Sequence, residues 1–133
     1  MWNRAENAAI TLAEYCNMLA DKINELNDEV ENLRKELNGS IQELVKKGID
    51  YATAYREYRV ELAKELLYQK ELKTPATTAY DIARGKENVA NAKFKEISTE
   101  AYYKAELEKI NSIKLQLRML ETQYKIEFGG SDV

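Results

Sequence analysis

The chain has 133 residues, of which 44% are hydrophobic and 32% charged, with a net charge of −3. One proline and five glycines indicate an all-α protein with few turns, and the length suits one domain better than two. The absence of histidine and the presence of only one cysteine exclude imidazole metal sites, histidine-dependent catalytic triads, thiolate zinc sites within the chain and intramolecular disulfides.

The apolar runs are far shorter than the roughly 20 residues that a membrane-spanning helix needs, and the first residues lack the apolar core of a secretory signal. No part of the chain is basic enough to indicate nucleic-acid binding from charge alone. We therefore expect a cytoplasmic protein with no cofactor and no membrane partner.

The first predicted helix, residues 3–38, carries a heptad pattern. Apolar residues recur at alternating intervals of four and three residues, the spacing of a coiled-coil seam. With the leucines at position d, Ile23 and Val30 are β-branched residues at position a, which favours a parallel two-stranded coil when the partner is a second copy. At Cys16, also at position a, we expect a buried, inert thiol. The predicted seam comprises Leu12, Cys16, Leu19, Ile23, Leu26, Val30, Leu33 and Leu37.

Two partners are open for this seam: the next helix of the same chain, or a second copy of the chain. Both pairings occur together if the helical bundle itself forms a dimer. Ala9 and Ala5 continue the register backwards, and their small side chains would let a partner helix approach closely.

The first helix is predicted to end at Asn38-Gly39, because these residue types tolerate the left-handed conformation that ends a helix. Ser40-Ile41-Gln42-Glu43 then has the pattern of a capping box, which starts a second helix over 40–73. A stop and a start this close predict an antiparallel αα-hairpin.

Two further helices follow the break at Pro75. Thr78 is a candidate cap for a short helix over 78–84, and a break at Gly85 leads to a long helix over 87–127. The tail, residues 130–133, is expected to be disordered.

The last helix carries two apolar stripes on opposite faces, since Ala101 and Ile110 lie about 180° apart at 100° per residue. One hairpin cannot cover both. Either the first two helices pack on different sides of it, or a second chain covers one stripe. One stripe comprises Ala90, Phe94, Ile97 and Ala101, and the other Ile110, Ile113, Leu117, Leu120 and Tyr124.

A ladder of carboxylates, Glu57, Glu61 and Glu65, has the i, i+4 spacing that could hold a hard cation. A solvated face supported by neighbouring lysines and arginines is the simpler interpretation, and no Gly-rich phosphate loop accompanies it. We therefore predict neither a metal site nor catalytic residues, and expect that the protein is not an enzyme.

The nine tyrosines outnumber the two phenylalanines, which indicates half-wet packing or interface surfaces. Aromatic rings beside cations can also stack bases and neutralise phosphates, so single-stranded nucleic acid is the alternative ligand of this surface, with Lys46 and Lys47 upstream. The candidate face for a protein partner or a nucleic acid comprises Tyr51, Tyr55, Tyr58, Arg56, Arg59, Tyr102 and Tyr103.

A series of short motifs in residues 51–129 resembles a group of small helical proteins encoded by tailed phages and prophages of Gram-positive bacteria. The motifs are Thr78 with Asp81-Ile82-Ala83-Arg84-Gly85, Val89-Ala90, Glu100-Ala101-Tyr102-Tyr103-Lys104-Ala105, Leu117-Arg118-Met119-Leu120-Glu121 and Phe128-Gly129. The group has no settled activity, and its genes tend to lie among early replication and recombination functions. The resemblance implies a phage-derived, non-enzymatic helical protein of the host cytoplasm, and it does not include the heptads of residues 12–37.

Together these observations predict an elongated all-α antiparallel bundle or coiled coil of long helices, in one domain over residues 1–129, that forms homo-oligomers. The expected function is binding of another protein, of host or phage, through helical surfaces. Such a protein would be an accessory factor in phage DNA metabolism or an inhibitor of a host or defence complex.

Overall fold

The computed structural model describes residues 4–129, with side chains from residue 11 onward. The described residues form three α-helices and no strand: α1 (Arg4–Glu71), α2 (Ala76–Gly85) and α3 (Glu87–Phe128). The predicted all-α helical bundle is confirmed. None of these helices has an apolar stretch that could cross a membrane. The predicted disordered tail lies outside the described residues.

The helix α1 passes without interruption through Asn38 and Gly39, so the predicted helix end and hairpin at this point are wrong. Asn38-Gly39 permits a helix to stop but does not force it to. The heptad intervals continue from Leu37 to Ser40 and Leu44 without a change of phase, and Ser40 is buried. Packing along an unbroken seam therefore outweighs the local stop signal.

The described residues fall into two compact units, one from Met1–Asn38 and Ser112–Val133 and the other from Gly39–Asn111. α1 and α3 each contribute residues to both units. The single domain over residues 1–129 stays a prediction.

Within the Gly39–Asn111 unit, four contacts pair α1 with α3. The partners' numbers fall along α3 as they rise along α1, so the two helices are antiparallel. The contacts are Lys47 with Glu106 at 3.6 Å, Tyr51 with Tyr103 at 6.2 Å between ring centroids, Glu57 with Lys95 at 3.1 Å and Glu61 with Asn88 at 2.9 Å.

The inward face of α3 also follows a heptad pattern, with intervals of three and four residues from Val89 to Leu120. Every residue at these positions is buried or half-buried. The face includes the predicted stripe from Ile110 to Leu120, whereas Tyr124, the last residue of that stripe, is exposed. Towards Val89 the face continues through polar residues. Its members are Val89, Ala92, Glu96, Thr99, Tyr103, Glu106, Ile110, Ile113, Leu117 and Leu120.

The end of α1 is a Schellman motif. The Lys73 N–H donates to the Lys70 carbonyl and the Thr74 N–H to the Gln69 carbonyl, both at 3.0 Å, which satisfies carbonyls that the helix end leaves free. Lys73 adopts φ 60°, a conformation that costs a residue with a Cβ roughly 1–2 kcal/mol.

The helix α2 begins at Ala76, two residues before its predicted start. Thr78 does not cap it, because the Pro75 carbonyl accepts hydrogen bonds from the N–H groups of Thr78 and Ala79 and from the Thr78 hydroxyl. A single extended residue, Lys86, separates α2 from α3. The turn is therefore short enough to keep α2 beside the start of α3.

We expect Gly39→Ala to stabilise the protein by about 0.5–1 kcal/mol, because alanine is the better residue inside a helix and a Cβ at Gly39 would meet no atom within 4 Å. Urea unfolding followed by circular dichroism measures the change. Gly48→Ala is the matched control and should gain less, since its Cβ would lie 3.4 Å from the Tyr103 ring. A loss of stability in Gly39→Ala would instead support a helix end at residue 39.

We expect Lys73→Gly to raise the free energy of unfolding by about 1 kcal/mol, because glycine adopts positive φ without a Cβ penalty. Lys70→Gly, three residues earlier and inside α1, should lower it by a similar amount. Equal losses in both variants would contradict the left-handed geometry at Lys73.

Candidate interaction surface

A charged pair lies inside the α1–α3 seam of the Gly39–Asn111 unit. The Lys47 ammonium is 3.6 Å from the Glu106 carboxylate, whose side chain is only 6% exposed. A carboxylate removed from water needs a cation beside it, because an unpaired buried charge is strongly destabilising. Lys47 therefore supplies the charge that the buried Glu106 carboxylate needs.

One heptad position further along α1, an aromatic pair continues the seam. The Tyr51 and Tyr103 rings lie 6.2 Å apart and are tilted by 36°. Gly48 has no side chain, and the Tyr103 ring occupies the space beside it. Partial burial raises the pKa of Tyr51 above its ordinary value. Both tyrosines are thus occupied by packing within the chain.

A cavity of about 420 Å³ opens where α2 meets the other two helices. Lys93 lies 4.6 Å from the centroid of the Tyr58 ring and donates to the Glu96 carboxylate at 3.1 Å. That hydrogen bond raises the pKa of Lys93, while burial and the adjacent Tyr80 raise the pKa of Tyr58. Tyr58 on α1 thus contacts Lys93 on α3 and Tyr80 on α2, and these contacts link the three helices.

The predicted tyrosine and arginine face is divided among different environments. Tyr58 is only 8% exposed, and Arg59 donates to the Tyr55 hydroxyl at 3.1 Å while stacking over its ring. Arg56 on α1 and Tyr102 on α3 are both exposed. Tyr102 lines a shallow pocket with Thr99 of its own helix and with Lys47 and Asp50 of α1. The structure does not bring these residues together as one stacking platform for bases.

The predicted seam of residues 12–37 is covered along only part of its length. Leu26 is 8% exposed, and the other leucines, isoleucine and valine from residue 19 to residue 37 are half-buried. Leu12 is 63% exposed and Cys16 is exposed. The expected burial of the Cys16 thiol is therefore wrong for the single chain.

The carboxylate ladder does not converge on a common point. Glu57 binds Lys95, and Glu61 accepts from Asn88 and lies 3.6 Å from Lys64. The Asn88 hydrogen bond is the main reason that the pKa of Glu61 is lowered. Among the described residues, no group of three potential ligand side chains could hold a metal ion.

The apolar stripe at the start of α3 lies on the outside, and we call it the outer stripe: Ala90, Phe94, Ile97 and Ala101. Phe94 is 74% exposed and Ile97 55% exposed, and both alanines are exposed. Of the two predicted arrangements, packing of the preceding helices on this stripe is not seen within the described chain. The outer stripe is therefore a surface without an intrachain cover.

Sequence reasoning placed Lys47 beside the candidate nucleic-acid face and not in the seam, and it missed Glu106, Glu96 and Lys93. The sequence analysis followed the spacing of apolar residues only, whereas the heptad register also places polar residues in the seam. Lys47, Glu96 and Glu106 occupy positions on the same alternation of three and four residues as their apolar neighbours, and Lys93 lies one helical turn before Glu96. Extending each heptad through polar residues would have found them.

Comparison with known proteins adds no identity: no family model, no curated protein and no solved structure matches this chain.

We expect Lys47→Met to lower the free energy of unfolding by about 2 kcal/mol, because it leaves the Glu106 carboxylate buried without its cation. Replacing both residues by leucine should recover most of the loss, which urea unfolding of the single and double variants measures. Lys46→Met is the control: its pair with Glu43 is exposed and should contribute less than about 0.5 kcal/mol. Equal effects of Lys46→Met and Lys47→Met would contradict this role for Glu106.

Proposed function

We propose that this protein is a non-enzymatic interaction protein whose outer stripe binds an amphipathic helix of a protein partner. One observation carries the proposal: the large apolar side chains of Phe94 and Ile97 on α3 are exposed at heptad spacing, while the polar residues Glu96 and Thr99 occupy the neighbouring inward positions. Exposed apolar patches of this kind are typical of protein-binding sites.

The spacing of the outer stripe favours a helix as the partner. Its intervals of four, three and four residues match the ridges and grooves of a helix laid alongside, as in helix-in-groove recognition. Phe94 and Ile97 would fill holes on the partner helix. Ala90 and Ala101 at the two ends would let the backbones approach closely.

The charged residues beside the outer stripe are already paired within the chain, which favours a partner with an apolar contact face. Lys95 is paired with Glu57 at 3.1 Å, and Glu100 is paired with Lys104 at 2.8 Å. The Lys104 hydrogen bond is the main reason that the pKa of Glu100 is lowered. Because these groups are satisfied within the chain, burial of apolar area would supply most of the affinity, and added salt would weaken binding little.

The resemblance to phage-encoded helical proteins supports a more specific form of the proposal. In that form the partner is a phage or host protein of the bacterial cytoplasm. The chain then acts as an accessory factor in phage DNA metabolism or as an inhibitor of a host or defence complex.

We expect the double variant Phe94→Lys and Ile97→Lys to lose partner binding at least tenfold without loss of helix content, since both side chains are exposed. Photo-crosslinking from Asn91, an exposed residue one turn before Phe94, identifies the partner in cells. Titration of the purified proteins then gives the affinity. Circular dichroism checks that the variant is folded.

The matched control is Val45→Lys with Ile49→Lys, because these residues form an equally exposed apolar pair on α1. This control should bind as the unmodified chain does. The proposal is contradicted if both double variants bind equally well, or if no protein crosslinks at Asn91. Binding of a single-stranded oligonucleotide that Phe94→Lys does not alter would point to the alternative ligand.

A further inference from the structure

A groove of about 650 Å³ runs between α1 and α3 in the unit formed by Met1–Asn38 and Ser112–Val133. The described helical residues of this unit come from α1 and α3 only. Two helices side by side leave a furrow along each flank, and in a three-helix bundle a third helix fills one of them. We call this furrow the side groove, and the residues that form it include Glu29 and Leu33 of α1 and Gln116, Met119, Gln123 and Ile126 of α3.

The α3 side of the side groove is apolar and open. Met119 is 63% exposed and Ile126 is 79% exposed, and they lie seven residues apart, on the same side of the helix. Gln116 and Gln123 repeat this interval, and Leu33 of α1 is half-buried. The side groove therefore presents a side-chain spacing that a helix laid along it can match over about three turns.

The α1 edge of the side groove is acidic. Glu29 lines the groove, and Glu25 and Glu36 lie four residues before it and seven residues after it, on the same side of the helix. All three are exposed, and none forms an ion pair with another described residue. Against these three acids the same edge carries Lys22. The edge thus has an excess of negative charge.

The charge of this edge indicates that the occupant is a different protein and not a second copy. On α3 the side groove is lined by Arg118 and Glu127, whose charges cancel. A second copy would bring to the groove either another acidic α1 edge or this neutral α3 edge, and neither supplies a row of cations. Complementary charge favours a partner that does.

We propose that the side groove binds a helix of another protein that has apolar residues at heptad spacing on one face and lysines or arginines along one edge. The apolar face packs on Met119 and Ile126, and the basic edge lies beside Glu29 and Glu36. Salt screens this attraction, in contrast to the binding expected at the outer stripe. The side groove and the outer stripe belong to different units, so the proposal does not rest on the proposed function.

The first test compares two designed peptides by fluorescence anisotropy. Both are alanine-rich helices of about three heptads with leucine at positions a and d; one carries lysine along one edge and the other carries glutamate there. The lysine peptide should bind the unmodified chain at least tenfold more tightly at low salt, and added salt should reduce the difference. Equal affinity of the two peptides at low salt overturns the proposal.

The second test locates the binding. Met119→Lys with Ile126→Lys should weaken binding of the lysine peptide at least tenfold. Phe94→Lys with Ile97→Lys makes the same change of charge at the outer stripe and should bind the lysine peptide as the unmodified chain does. All four side chains are exposed, so circular dichroism should show that both variants are folded. Equal losses in the two variants contradict binding in the side groove.

The third test reverses the charge of the α1 edge. Glu29→Lys with Glu36→Lys should prefer the glutamate peptide. Asp28→Lys with Glu31→Lys is the matched control, because it makes the same change of net charge at exposed positions on the outward side of α1, and it should still prefer the lysine peptide. If both variants lose the preference alike, the net charge of the chain causes it and the proposal is wrong.

The mass in solution tests a second copy as the occupant. Light scattering coupled to size exclusion should give the same mass for the unmodified chain and for Met119→Lys with Ile126→Lys. A dimer that this variant converts to a monomer would show that a second copy fills the side groove, and would overturn the proposal. The proposed function is tested separately, since Phe94→Lys with Ile97→Lys loses the outer-stripe partner but keeps the lysine peptide.

Discussion

The register between α1 and α3 in the Gly39–Asn111 unit depends on a buried charge. Glu106 lies in the seam with almost no exposed surface, and Lys47 supplies the cation beside it. A shift by one heptad would leave both groups opposite the wrong neighbours, at a cost that apolar packing does not impose. Polar seam residues of this kind sacrifice stability for a unique pairing, and Gly48, which leaves room for the Tyr103 ring, reinforces the same register.

A polar inward face has a consequence for the outside of α3. Glu96 and Thr99 occupy inward positions, whereas Phe94 and Ile97 face outward. The ordinary distribution of a surface helix is thus partly reversed along this stretch. Solvent exposure of two large apolar side chains is unfavourable for an isolated protein, while the inward charges are satisfied by their pairs. The sequence of α3 therefore makes more physical sense with a second surface packed against its outer stripe.

Composition predicts the helical class, the break at Gly85 predicts the start of α3, and apolar periodicity predicts the part of the seam over residues 19–37 that is buried or half-buried. The prediction fails at Asn38-Gly39, where residue types that allow a helix to end were taken to require it. The unbroken phase from Leu37 to Leu44 was the stronger signal. The candidate site was only partly predictable: Phe94 and Ile97 were recognised as a stripe, but Glu106 was not recognised as part of the opposite one, since charged residues do not count in an apolar pattern.

A heptad pattern specifies a face but not what covers it. Leu26 and Leu12 have the same residue type, the same register position and the same helix, yet α3 covers one and leaves the other exposed. The difference arises from where α3 ends, which depends on a chain segment about a hundred residues away in sequence. Intrachain packing therefore covers one part of this long seam and leaves another part exposed.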